Sequence, residues 1–477
     1  MIEEPPARQR RQVTLWTILV VASLTIGLLT TINGPGTPLR YLLGTLLLWV
    51  SAYPAWRYFA DRERRIPFLP AMSAIYFFSY GMPAFHANLR VRGFRPSGEL
   101  VEMTLLLALA GLVLLLIAFY RFQLVKSLPR LRLGLELRNH AWRILVVAYL
   151  CALVRVPGLR IPLAVAELTN FISFLPVVLL CGLFLLFLRG ELGRPLVLLG
   201  GLLLLAMLLL DFVTGSVSNP AFTLSNLLFV YVAERGKLPI AVLAIAAVLL
   251  IPALGTKQEY RKEITRQTEL STLDKMGLFG DLIGGVFTGA NNKGFSEANE
   301  VAENRVDHLS SFAYVIACTP SVVPYWEGAT YEDFFWSFVP RILVPSKPKK
   351  TLGQDYGHRY MFLDKRDYQT SINLEQTVEM FANFGVWGVL VGMFVMGLLY
   401  RMLYEILASP LGDGGTLVAA SIFRVLLNIE SDFSLVFGSI VQQSILLMVV
   451  LYLLAGAHTG RANTTINDSS GLSPLSS

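Results

Sequence analysis

Twelve stretches of mostly apolar residues, most of them close to 20 residues long, punctuate this sequence of 477 residues. About 20 such residues in a helix cross the hydrocarbon core of a bilayer. In lipid every backbone N–H and C=O must find a partner within the protein, so runs of this kind predict membrane-spanning α-helices. The expected spans lie near 13–32, 39–59, 66–85, 100–122, 142–160, 168–188, 195–213, 217–233, 238–255, 378–400, 415–429 and 433–455. The eighth is interrupted by Asn219, Ser225 and Asn226, and the eleventh is short and contains Arg424.

Charge supports the same class. Only 15% of the residues are charged, where a soluble domain carries about 25%. The net charge of +7 does not point to nucleic acid, because Lys and Arg form no single stripe or tail. They sit in short clusters between apolar runs, as in loops that set membrane orientation. With the N-terminus in the cytoplasm, alternate loops hold Arg57, Arg62, Arg64 and Arg65, then Arg121, Lys126, Arg130, Arg132 and Arg138, then Arg189 with Arg194, then Arg235 with Lys237, and finally Arg401. Both termini are therefore expected inside. One outer loop breaks the pattern with Arg90, Arg92 and Arg95. Residues 13–32 are long enough to span, so the N-terminus reads as an uncleaved first helix.

The expected organisation is a transmembrane bundle of about nine spans over 1–255, a large extracytoplasmic loop with short helices over 256–376, about three further spans over 377–456, and a disordered cytoplasmic tail over 457–477. Within the loop, periodicity predicts a helix over 296–317 with Ser296 as its cap, and a short surface helix over 277–290. Pro340, Pro345 and Pro348 hold 339–348 in an extended or turned path.

Three sets of residues carry candidate chemistry. Arg341, Lys347, Lys349 and Lys350 lie within ten residues of one another in the proline-stiffened loop; they suit a phosphate or pyrophosphate, or simple anchoring to lipid headgroups. Arg305 and His308, three apart on the expected helix, share a face beside Asp307. A histidine next to a carboxylate suits proton acceptance from a sugar hydroxyl, the plainer alternative being a solvated helix face. His358 has a similar claim. Arg424 inside an apolar run needs a buried partner, with Glu430 and Glu379 as candidates. Arg155, Arg160 and Asp211 lie at span ends. Cys151, Cys181 and Cys318 form neither a disulfide framework nor a zinc pattern. With no P-loop, GxGxxG, HExxH or GxSxG, no nucleotide, metal or other cofactor is expected.

The segments ENRVDHLSSFAYVIACTP (303–320), YWEGATYEDFFWSFVPRILVPSKP (325–348), TSIN (370–373) and EMFANFGVWGVLVGMFVMGLLYRML (379–403) resemble the Wzy-type polymerases of O-antigen and exopolysaccharide repeat units. The resemblance covers about 100 residues closely, with a looser likeness at 66–85. It implies an all-α polytopic glycosyltransferase of the GT-C type in the bacterial cytoplasmic (inner) membrane, acting on polyprenyl-pyrophosphate-linked oligosaccharide at the outer leaflet, with flippase and chain-length regulator proteins as companions. Such a site requires cations for the pyrophosphate, here Arg305, Arg341 and Lys347 with Arg424 from below, and Arg90, Arg92 and Arg95 to guide an anionic lipid or glycan. The acceptor hydroxyl requires a base, here His308, Asp307 or Glu379. Three rivals use similar parts: a ligase that joins finished polymer to a lipid A core, a flippase of lipid-linked sugars, and a scaffold subunit of an envelope complex.

Overall fold

The computed structural model describes residues 7–455 apart from 31, 33–35, 62–65, 87–88, 92, 123–135, 156–171, 214–217, 244, 246–259, 261–262, 265–271, 289–306, 340–343, 345, 408–412 and 429. Among the described residues all named elements are helical. They are α1 (Ala7–Thr30), α2 (Pro38–Asp61), α3 (Phe68–Tyr76), α4 (Gly98–Arg121), α5 (Leu137–Ala152), α6 (Leu175–Arg189), α7 (Arg194–Val213), α8 (Ser218–Arg235), α9 (Thr272–Phe287), α10 (His308–Cys318), α11 (Glu332–Ser337), α12 (Leu352–Arg359), α13 (Gln376–Leu407), α14 (Asp413–Leu426) and α15 (Phe433–Ala455), with short 3-10 and π turns between.

Six helical stretches among the described residues are long and apolar enough to cross a membrane. The protein is thus a helical membrane protein. Of the other expected spans, 66–85 is interrupted and 168–188 and 415–429 form shorter helices, α2 (24 residues) and α8 (18 residues) are long but less apolar, and most of 238–255 lies outside the described residues. Side chains such as Trp16, Leu19, Leu198, Leu205, Val391 and Leu453 are exposed, forming an apolar outer surface suited to lipid. Inside, one core cluster runs from Leu47 and Leu105 through Val178 to Val389 and Leu447.

Basic residues from separate inter-helix segments meet at one end of the bundle. Arg57 lies over the Tyr120 ring at 4.3 Å, and Arg401 donates to the Phe119 carbonyl at 3.4 Å. Arg189 bridges Glu234 at 2.9 Å and Asp413 at 2.7 Å. Asp413 also accepts the Leu137 N–H at 3.2 Å. These are segments that the charge pattern assigns to a common side.

The tenth expected span, 378–400, is corrected by the structure. α13 is broken at Phe384 (φ −138°, ψ 16°) and Gly385 (φ 63°, ψ −147°), the latter a conformation essentially reserved for glycine. The chain then doubles back. Tyr400 donates its hydroxyl to the Gln376 side-chain oxygen at 3.3 Å, 24 residues away, whereas a straight helix would separate them by about 36 Å. The Tyr76 hydroxyl likewise reaches both Thr377 (3.0 Å) and Met393 (3.6 Å). Gly388 permits the doubling, since a Cβ there would lie 2.1 Å from the Met380 carbonyl oxygen. Residues 386–407 pack along α4, and a Cβ on Gly397 would meet the Leu115 carbonyl oxygen at 2.3 Å; such close crossings are typical of small residues between membrane helices.

α14 is also shorter than a span. Its 14 residues rise about 21 Å from Asp413, short of a hydrocarbon core of about 30 Å. Beyond its end Asp432 is buried and Glu430 lines a cavity.

Candidate functional site

A cavity of about 590 Å³ lies where these irregular segments converge, lined in part by Arg90, Asp307, His308, Asn373, Glu375 and Glu430. Four features of the chain build it. α10 starts at His308 because Asp307 caps it, accepting the Ser310 N–H at 2.9 Å and the Ser310 hydroxyl at 2.5 Å. A side chain in that role satisfies donors that the first turn leaves free. The doubling back of α13 sets Glu375 immediately ahead of the buried start of that helix. The segment after α14 supplies Glu430. The π turn at Phe77–Gly81 supplies Tyr80; such turns recur at functional sites.

His308 stands between two carboxylates. Its Nδ1 is 3.5 Å from Glu375 Oε2, and its Nε2 is 3.7 Å from Glu430 Oε1. Tyr80 donates its hydroxyl to Glu375 Oε2 at 2.5 Å and sets its ring edge-on to the imidazole, 6.2 Å between centroids. Asn373 donates to Glu430 Oε2 at 3.5 Å. Glu375 is buried, whereas the Glu430 side chain is 38% exposed and faces the cavity. Neither Glu375 Oε1 nor His308 Nδ1 has a hydrogen-bond partner among the described residues, so the contact between His308 and Glu375 is electrostatic.

None of Asp307, His308 and Glu375 lies on a spanning helix, and all three hold protons more tightly than usual. Burial raises the Asp307 pKa against the pull of Ser310. Burial raises that of Glu375 as well, only partly offset by His308 and Tyr80. At His308 burial opposes the imidazolium, but Glu375, Glu430 and Asp307 together outweigh it and the pKa rises. The arrangement stabilises the imidazolium form of His308 through neighbouring carboxylates.

Several expected site residues are placed otherwise. Asp307 lines the cavity, but its carboxylate is engaged by Ser310, so the partner of His308 is Glu375 instead. Of the helix expected over 296–317, the described part is helical from His308 with Asp307 as its cap, and Arg305 lies outside the described residues. Glu379 is buried and accepts the Phe433 N–H at 2.7 Å through Oε2; it does not line the cavity. It serves the start of α15, where backbone N–H groups lack helical partners. Lys347 donates to the Val339 carbonyl at 3.0 Å, and Lys350 pairs with Asp432 at 2.6 Å. Arg90 lines the cavity and Arg95 is exposed. Arg92 and Arg341 lie outside the described residues.

Arg424 pairs with neither Glu379 nor Glu430 in this structure. Its guanidinium sits over the Phe222 ring at 5.8 Å, and its electrostatic neighbours are Arg155 and Asp211. Arg155 is no snorkelling end group, because it binds Asp211 at 3.2 Å and the Ser173 carbonyl at 2.7 Å and 2.9 Å. Asn383 donates to Thr330 and to the Glu379 carbonyl and accepts the Gly328 N–H, each at 2.8 Å. It ties the 328–330 turn to the α13 break. His358 stacks near Tyr368 at 5.2 Å. Among the described residues no group of acidic, Cys or His side chains is arranged to hold a metal.

Sequence reasoning overlooked Glu375 and Tyr80. Glu375 falls between two of the segments that carry the family likeness, 370–373 and 379–403, and Glu379 lies one turn later. An acid adjoining an apolar run was the available signal.

Residues 138–459 match a family model described as Domain of unknown function (DUF8712). The chain belongs to this family. The matched region runs from α5 through α15 and contains His308, Glu375 and Glu430. No curated protein and no solved structure matches the chain.

Proposed function

We propose that this protein is a glycosyltransferase that polymerises polyprenyl-pyrophosphate-linked oligosaccharide repeat units on the outer leaflet of the bacterial cytoplasmic membrane. The observation that carries this reading is His308 held between Glu375 and Glu430 in a polar cavity within an otherwise apolar bundle. The basic end of the bundle faces the cytoplasm under the positive-inside rule, and the cavity then opens outward.

In this account the terminal sugar hydroxyl of one lipid-linked unit attacks the anomeric carbon of the growing chain. Its proton passes to His308. The bond from the anomeric carbon to the diphosphate oxygen breaks, and its electron pair leaves with the polyprenyl diphosphate. Glu375 orients the imidazole and stabilises the imidazolium, so it is a positioning residue. Arg90, which lines the cavity, neutralises the departing diphosphate; Arg305 and Arg341 are further cations that the family resemblance implies, and Arg424 contributes positive potential from within the bundle.

The test is to give the purified protein the lipid-linked repeat unit and nothing else. A ladder of products at successive multiples of the unit is expected. If product forms only after a separate lipid A core acceptor is added, the protein is a ligase and the polymerase reading fails.

A further inference from the structure

A small void lies between α3, α4 and α13 and shares no lining residue with the His308 cavity. Every residue that lines it is buried, and all of them lie in parts of these helices that the structure describes. The void leaves about 10 Å³ for the centre of a water molecule, which is room for one. Its wall is mostly Leu and Met, and into that wall the sequence sets Ser73 on α3 and Gln376 and Tyr400 on α13.

Hydroxyls elsewhere in the bundle satisfy themselves on the carbonyl one turn back. Ser51 donates to Leu47 at 2.7 Å, and Thr104 to Leu100 at 2.6 Å. Ser73, 1% exposed, does not; its Oγ has no hydrogen-bond partner among the described residues. Gln376, 4% exposed, accepts the Tyr400 hydroxyl at 3.3 Å through its oxygen, but its Nε2 has no partner among them either. A buried polar group without a partner has given up its hydration and gained nothing in exchange. Two such groups line one void, beside a Tyr400 oxygen that can still accept. Voids that stay dry are apolar, and those with several polar groups take up water.

We propose that this void binds one internal water, which accepts hydrogen bonds from Gln376 Nε2 and the Ser73 hydroxyl and donates one to the Tyr400 oxygen. Three bonds are the usual complement of a buried water. The water joins α3 to both arms of the doubled-back α13, because Gln376 lies before the break and Tyr400 after it. Gln376 directly follows Glu375, so the same water anchors the segment that brings Glu375 to His308. None of its three partners takes part in the proposed transfer, so the water and the reaction stand or fall separately.

The lining methionines supply the probe. X-rays split a bound water into hydroxyl radicals where it sits, and methionine beside it is oxidised to the sulfoxide. Met72, Met393 and Met396 line the void, whereas Met207 on α7 is as deeply buried and does not. The experiment is synchrotron radiolysis of the full chain in lipid nanodiscs, with sulfoxide formation at each methionine read by mass spectrometry. Met72, Met393 and Met396 should oxidise several-fold faster than Met207. Ser73→Ala with Gln376→Leu removes both groups that donate to the water and should bring the three down to the Met207 rate. Leu112→Phe, which fills the void and spares the polar groups, should do the same. Oxidation of the three as slow as that of Met207 in the unaltered chain would show a dry void and overturn the proposal. So would fast oxidation that persists in both variants, since the radicals would then arise elsewhere.

Discussion

His308 Nδ1 lies 3.5 Å from Glu375 Oε2, although 67 residues separate the two in the chain. The contact exists because α10 begins at His308 and Glu375 immediately precedes the buried first arm of α13. If Glu375 positions and charges the imidazole, Glu375→Gln should slow transfer about 10- to 100-fold, by analogy with partners that orient a working histidine. It should also shift the pH–rate profile, because the stabilised imidazolium is lost. A rate change with an unmoved profile would reduce Glu375 to a structural role.

The doubling back of α13 can be measured as a distance. A straight helix from 376 to 395 alone would extend about 28 Å. Spin labels at Ser371 and Val395, both exposed, should therefore report a separation below that figure. Gly385→Ala should lower the thermal midpoint, since φ of 63° costs a non-glycine residue about 1–3 kcal/mol and the new Cβ would lie 2.8 Å from the Tyr325 hydroxyl.

Much of this architecture is legible in the sequence, and the reasons for the rest are physical. Apolar runs of membrane length fix helices because lipid leaves the backbone no other option, so α4 and α15 fall within a few residues of where they are expected. The same signal does not show the fold-back, since the first arm of α13 runs directly into the apolar second arm and only Gly385 with its neighbours marks the break. His308 is legible in the sequence as a candidate, and the structure places it at the cavity. Its partner is not, because the nearest acid in sequence, Asp307, is consumed by capping Ser310, and Glu375 arrives through tertiary structure.

Protons should govern stability as well as rate. Asp307, His308 and Glu375 all have pKa values raised by the fold, so the folded chain holds more protons than the unfolded one. For His308 the stabilisation is complete below its ordinary value of 6.5 and is lost as pH rises through the folded value. For Glu375 the fold carries a penalty that grows once pH exceeds its ordinary 4.5. Both act in the same direction, so the thermal midpoint in detergent should fall as pH rises from 5 to 8. Glu375→Gln should flatten that slope; an equal slope in the variant would show that other groups cause it.

The Arg155–Asp211 pair is buried beside Arg424. Asp211→Ala leaves two arginines without their shared counter-charge, and breaking a buried pair costs about 3–5 kcal/mol. The thermal midpoint should drop markedly, and Arg155→Met with Asp211→Leu should recover part of the loss. A midpoint unchanged in Asp211→Ala would contradict the pairing.

The most direct test of the site is single-turnover transfer between two lipid-linked repeat units by His308→Ala, measured against the unaltered protein. Loss of a general base should slow transfer by about 10²–10⁴-fold while the affinity for the donor stays within a few-fold. A rate within about 2-fold of the unaltered protein, with donor binding intact, would place the chemistry elsewhere.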